Sequence, residues 1–171
     1  MSTATLVSVD EYLATSYRPD CDFVDGQLIE RNVGTKDHSK LQREVLAWFR
    51  DRRRELRLTA FPEQRVQVAQ RRFRVPDVCV FTLPEPDEQI FTKPPYICIE
   101  VLSPKDSFPK LQDRLDDYLA MGVPNIWVLD PPSRRGWSIV REGHFEALDG
   151  VLRTSDGRVV LTIADLFAAE D

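Results

Sequence analysis

At 171 residues, 42% hydrophobic and 30% charged, the chain has the length of one domain, expected over residues 1–171, and enough apolar content to fold without disulfides or a structural metal. Its net charge of −5 counts against a uniformly basic nucleic-acid binder but leaves room for a local basic face. No apolar run reaches the roughly 18 residues of a membrane span, and "MSTATLVSVDEYL" has neither the basic region nor the apolar stretch of a secretory signal.

Taken in order, "SVDEYLATS" opens a short helix, with Ser8 as N-cap and Glu11 three residues on. "CDFVDGQLIERNVG" reads as two strands around the turn-forming Asp25-Gly26. Residues 38–57 form the strongest helix pattern, with Leu41, Val45, Trp48, Phe49 and Leu56 at helical spacing. "RVQVAQ" and "RFRVPDVCVF" look like strands joined by a tight turn, and the proline-broken "PEPDEQIFTKPP" is a loop. "YICIEVLS" has the continuous apolar run of a central strand.

A second helix is expected from near Ser107, with Pro109 tolerated in its first turn, Leu111, Leu115, Tyr118 and Leu119 as its stripe, and Gly122 as its stop. "NIWVLDPP" is a strand ended by prolines, "GWSIVREGHFEAL" a hairpin around Glu142-Gly143, and "LTIADLFAAE" a short helix with Thr162 as a possible cap. Strand, helix and strand over 96–130 predict a parallel pair joined by a right-handed crossover. The fold class is therefore α/β, a mixed β-sheet flanked by helices.

Three cysteines, Cys21, Cys79 and Cys98, form no CxxC pair, so neither a zinc site nor a disulfide framework is indicated. Cys79 and Cys98 lie within strands and read as buried thiols, and a reducing cytoplasm is the expected location.

Two residues break the apolar strands: Asp77 in "RVPDVCVF" and Glu100 in "YICIEVLSPKDS". A carboxylate taken out of water without a partner costs several kcal/mol. Two that converge on one face could share Mg²⁺ or Mn²⁺, which a pair of carboxylates suits. On the other reading, Asp77 sits at a strand end after Pro76 and Glu100 pairs with an arginine. The run "RDRRRELR" reads as a solvated face matched to a helix C-terminus, and its second reading is contact with phosphates. GxSxG, HExxH and GxxxxGK[ST] are all absent from the sequence, which disfavours serine and zinc hydrolases and nucleotide triphosphatases.

The ordered series "RVPDVCVF", "YICIEVLSPKDS" and "DYLAMGVPNIWVLDP" resembles the Uma-type restriction-endonuclease family, of the PD-(D/E)XK nuclease superfamily. Upstream, "CDFVDGQLIE" looks like that family's Tyr-Glu-Leu-Ile-Asp-Gly-Glu hairpin and "KDHSKLQREVLAWF" like its His-containing helix start. The resemblance implies a restriction-endonuclease-like fold. It also implies Mg²⁺ (or Mn²⁺) held by Asp77, Glu100 and the backbone carbonyl of Val101, with Asp22 and His38 shaping the site.

The superfamily's lysine, two residues after the second acid, is Leu102 here. The family's alternative lysine, four residues before the helix tyrosine, is Arg114 here. Arginine stays protonated and cannot act as a base, though it can stabilise phosphoryl charge. Lys110, one turn earlier on the same side, is the candidate replacement, and ion pairing with Asp113 or Asp117 is its plainer role. His144 reads as a surface residue.

Two functions follow. One is a Mg²⁺-dependent endonuclease acting on DNA, working as a homodimer. The other is a binding or structural module that keeps the fold without cleavage, which the substitutions at 102 and 114 favour.

Overall fold

The computed structural model describes residues 6–168. Residues 1–5 of the N-terminal stretch read above, and residues 169 and 170 of the expected C-terminal helix, lie outside the described residues. Ser8 caps α1 (Val9–Ala14) by accepting the Glu11 amide N–H, as the capping pattern predicts. Asp25 and Gly26 take φ of 51° and 95°, the positive values a two-residue hairpin favours, and join β1 (Cys21–Val24) to β2 (Gln27–Glu30).

The helix expected over 38–57 starts earlier and is divided. Thr35 caps α2 (Lys36–Asp51), the helix breaks at Arg52, and one further turn, α3 (Arg53–Leu56), ends on Arg57 at φ 55°. The Arg52 guanidinium folds back over the Trp48 ring at 4.3 Å and donates to the Trp48 carbonyl. The chain then turns to lay the fully buried Leu58 into the core as β3 (Leu58–Pro62), a strand too short for its pattern to stand out in the sequence.

After β4 (Val66–Ala69), the stretch read as one strand, "RFRVPDVCVF", is two: β5 (Arg72–Arg74) and β6 (Val78–Thr82). Pro76 has no N–H to give a ladder and restricts Val75 before it, so the chain crosses between sheets at this point. The strand β7 (Ile97–Val101) is buried along its whole length, as its apolar run implies. Ser107 and Gly122 bound α4 (Phe108–Met121), with Gly122 in the left-handed region at φ 90°.

β8 (Asn125–Asp130) follows. The hairpin of β9 (Arg135–Val140) and β10 (Gly143–Glu146) turns at Arg141-Glu142, one residue earlier than expected, with Gly143 already paired to Val140. The C-terminal stretch is corrected too. Leu161 and Thr162 close β12 (Val160–Thr162), paired with β11 (Val151–Arg153), and Ile163–Leu166 turn as 3-10 helix, without a side-chain cap from Thr162.

The large sheet has the order β10-β9-β8-β7-β6-β3, and a second sheet has the order β2-β1-β5-β4. Only β7 and β8 run parallel in the large sheet, with α4 as the connection between them. Alternation divides its core in two. Val78, Val80, Ile97, Ile99, Trp127 and Leu129 face the α2 side, with Leu41, Val45 and Phe49. Cys79, Phe81, Cys98, Ile126 and Val128 face the α4 side, with Leu111, Leu115 and Tyr118. All three cysteines are buried free thiols. No helix among the described residues is long and apolar enough to cross a membrane.

Candidate metal centre

β6 and β7 are antiparallel neighbours, with Val78 opposite Ile99 and Cys79 opposite Cys98. Carried one step past the end of β6, that register sets Asp77 opposite Glu100. By the same parity both fall on the α4 side. Asp77 is thus at a strand end after Pro76, while Glu100 is within its strand, and the two are 5% and 1% exposed.

The carbonyl of Asp77 is held from α2 and from the residue after β3. Gln42 Nε2 donates to the Asp77 carbonyl at 2.8 Å, and the Glu63 amide donates to it at 3.2 Å. His38, one turn before Gln42 on the same helix face, sets its Nε2 3.4 Å from Asp77 Oδ2. Gly34 makes room for that ring: a Cβ there would lie 2.8 Å from His38 Nδ1.

Each carboxylate oxygen of the pair has a donor. Asp77 Oδ2 accepts the Val101 N–H at 2.7 Å, and Glu100 Oε1 accepts the Tyr118 hydroxyl at 2.7 Å. Between the two acids lies Arg31, which follows β2 directly. Its Nη2 is 2.8 Å from Asp77 Oδ1 and 3.1 Å from Glu100 Oε2. Arg114 Nη2 reaches the same Glu100 oxygen at 3.2 Å.

The electrostatics follow from this packing. Burial works to raise the Asp77 carboxyl, but Arg31, with His38, outweighs it and holds the group below its usual range. Burial works to lower His38, and its contact with Asp77 outweighs that and raises it. Burial likewise opposes the charge on Arg31, and Glu100 and Asp77 overcome it, so the guanidinium stays charged.

Asp22 is near but committed elsewhere. Its Oδ2 accepts from Arg74 Nη1 at 3.0 Å and its Oδ1 from the Val75 N–H at 2.9 Å. Arg74, 1% exposed, also binds Asp117 at 2.6 Å and Asp113. Those two carboxylates, expected as partners for Lys110, are taken by Arg72 and Arg74. Lys110 is exposed and lines a cavity of about 20 Å³ together with Asp22, Arg31, His38, Asp77 and Arg114. At Val101 it is the N–H that meets the pair, donating to Asp77 Oδ2, whereas the resemblance implies a role for the carbonyl.

Sequence reading did not single out Arg31, Gln42, Tyr118 or Arg74 for the site. Only the alternative that Glu100 pairs with an arginine pointed toward Arg31, without saying which arginine.

Among the described residues no three His, Cys, Asp or Glu side chains gather as a ready metal site. The pair nonetheless fits a divalent ion. Its two oxygens already converge on one cationic atom, and Mg²⁺ or Mn²⁺ is typically held by one or two carboxylates plus waters. The adjoining cavity of about 20 Å³ has room for about one water. The fit carries a condition. Two unit charges about 4 Å apart interact by about 4 kcal/mol at an effective dielectric near 20. A divalent ion beside an unmoved Arg31 would meet about twice that in repulsion.

The Uma2 family model, described as "Putative restriction endonuclease", matches residues 9–159. The chain belongs to the Uma2 family. The Uma2 fold is shared with a solved structure described as "a putative nuclease belonging to DUF820" from Anabaena variabilis. The TM-score is 0.80 at 24% identity, over 95% of this chain and 98% of that one. No curated protein matches the chain. For this Uma2 chain the comparisons thus bear out the family and the restriction-endonuclease-like fold read from the sequence.

Proposed function

We propose that this chain is a metal-dependent nuclease that hydrolyses phosphodiester bonds in DNA. The observation that carries the reading is the convergence of Asp77 and Glu100 on a single cation position at the edge of β6 and β7, in a family described as "Putative restriction endonuclease". A divalent ion there would supply activation of water and stabilisation of the charge that builds on the phosphoryl group. Asp77 and Glu100 would hold that ion, with the Val101 backbone beside them. Lys110 and Arg114 offset phosphoryl charge from α4. His38 fixes the Asp77 carboxylate, and Asp22 holds the hairpin that walls the site.

The surroundings support a polymeric substrate. A cavity of about 270 Å³ lined by Arg31, His38 and Asp77 also includes Ser39, Gln42 and Glu63. Those last three line a second cavity of about 480 Å³, which runs along α2 to the start of α3, past Arg43, Arg50 and Arg53. Their guanidiniums, paired here with Glu44, Asp51 and Glu85, are the groups that would meet backbone phosphates. A cut in both strands would take two such sites, and we propose a homodimer as their source.

Leu102, half-buried against the α4-side core where the superfamily has its lysine, favours the second reading, a non-catalytic module. Cleavage of plasmid and oligonucleotide DNA with Mg²⁺ or Mn²⁺ separates the two. Metal-dependent cleavage by wild type, lost in Asp77→Ala, is the expected result. No cleavage across metals and substrates would favour the non-catalytic module.

A further inference from the structure

Arg31 fills the space between the two acids, and its fork is half used. One nitrogen, Nη2, serves both carboxylates, while Nη1 is buried with no hydrogen-bond partner among the described residues. A guanidinium built for two parallel bonds to one anion is therefore engaged as a single donor. Together Arg31 and Arg114 balance the charges of Asp77 and Glu100, so a divalent ion meets no net negative charge there.

The Arg31 N–H is held by the Asp20 carbonyl at 2.8 Å, so any displacement falls to the side chain. Arg31 directly follows β2, and residues 31–35 have no regular structure before α2 begins. The cavity of about 270 Å³ beside it is open to the solvent and lined by Arg31 itself, Asn32, Gly34, His38, Gln42 and Asp77.

We infer that Arg31 is the resident counter-cation of the acid pair, and that a divalent ion enters only by displacing this guanidinium into the adjoining cavity. The inference rests on the metal-dependent reading above. Arg31 then sets the metal affinity: it stabilises the metal-free fold and competes with the ion for the same oxygens.

The test is Mn²⁺ binding by titration calorimetry, with thermal melting, on chelator-stripped wild type, Arg31→Met, Arg31→Lys, Glu100→Gln and the Arg31→Met/Glu100→Gln double variant. Arg31→Met is expected to melt below wild type without metal. It should bind Mn²⁺ at least about tenfold more tightly and gain more in Tm on adding Mn²⁺. Glu100→Gln should weaken binding, and the double variant should lose the gain. Arg31→Lys keeps a charge without the fork and covers the case that Arg31→Met does not fold. Its expected gain is smaller, about threefold.

Mn²⁺ binding by the folded Arg31 variants no tighter than wild type overturns the inference. If Glu100→Gln still weakens binding in that case, the metal site itself stands. No Mn²⁺ binding by any of the proteins overturns both the inference and the metal-dependent reading.

Discussion

Tyr118 donates its hydroxyl to Glu100 Oε1 at 2.7 Å, both groups wholly buried between α4 and β7. Burial, with Glu100 beside it, pushes the phenol well above its usual range, so it remains a donor at every physiological pH. The bond joins the helix that carries Lys110 and Arg114 to the strand that carries Glu100. Tyr118→Phe removes the donor and leaves a buried carboxylate oxygen unsatisfied, at a cost of about 1–3 kcal/mol. Urea unfolding should show that loss as a lower midpoint with an unchanged slope. A midpoint equal to wild type would mean that water or a neighbouring donor replaces the hydroxyl.

Arg74 is the second buried junction. One guanidinium, 1% exposed, ties Asp22 of β1 to Asp113 and Asp117 of α4, and so holds the small sheet against the helix. Arg74→Met strands Asp22 in the interior without an ion partner and leaves Asp117 with Arg72 alone. Breaking a buried pair from one side costs about 3–5 kcal/mol. The expected readout is a large drop in the urea midpoint, with Asp22→Asn giving a smaller one, because Asn keeps an oxygen for the Val75 N–H. A loss below about 1 kcal/mol in Arg74→Met, the range of surface pairs, would show that solvent reaches this cluster.

The same cluster gives a pH dependence. Burial works to raise the Asp113 carboxyl, but its hydrogen bond and proximity to Arg74, and then Arg72, outweigh that and hold it below the usual carboxylate range. A depressed carboxyl stabilises the fold at pH values above its unfolded pKa, near 3.9. That stability is lost as pH falls through the folded value. Asp113→Asn should therefore cost stability at pH 7 and nothing at the acid end. Half of the side chain is exposed, so solvent screening limits the loss to about 0.5 kcal/mol. Unfolding of wild type and variant at pH 7 and near pH 3 checks it. A difference that grows toward acid pH would reverse the assignment.

The fold was legible where the sequence period matched the burial. The β7 run, the α4 stripe and the Asp25-Gly26 turn are local patterns, and each formed as expected. The errors fall where tertiary demand overrides local pattern. Pro76 divides a β-rich run between two sheets, and Leu58 ends a helical arginine stretch because the core needs a strand there. In the site, Asp77 and Glu100 stood out because carboxylates are costly among apolar residues. Arg31 did not, because an arginine after a hairpin looks like any exposed cation. Its meaning depends on the small sheet folding back over β6 and β7, which no sequence period encodes.

The metal assignment has its own measurement. Asp77 and Glu100 supply the two oxygens that converge on Arg31, so removing both carboxylates removes the cation position altogether. The Asp77→Ala, Glu100→Ala double variant should give no binding heat with Mn²⁺, while wild type binds. Equal binding by the two proteins would place the ion elsewhere.

The two α4 cations proposed to act on the phosphoryl group are expected to behave differently from one another. Arg114 is buried, its Nη2 is 3.2 Å from Glu100 Oε2, and its Nε lacks a hydrogen-bond partner among the described residues. Lys110 is exposed one turn earlier, lines the same cavity as Asp77, and has no ion pair among the described residues, since Asp113 and Asp117 are held by arginines. An exposed, uncommitted ammonium costs nothing to remove from the fold and is free to meet a phosphate. Lys110→Ala should thus leave the melting temperature unchanged and lower single-turnover cleavage by at least about tenfold, about 1.4 kcal/mol of transition-state stabilisation. Arg114→Ala should lower both cleavage and stability, because it leaves Glu100 with less compensation, while Arg114→Lys keeps the charge and is tolerated. Single-turnover rates beside thermal melts separate the two residues. Full cleavage by Lys110→Ala would take Lys110 out of the mechanism and leave Arg114 as the one α4 cation acting on the phosphoryl group.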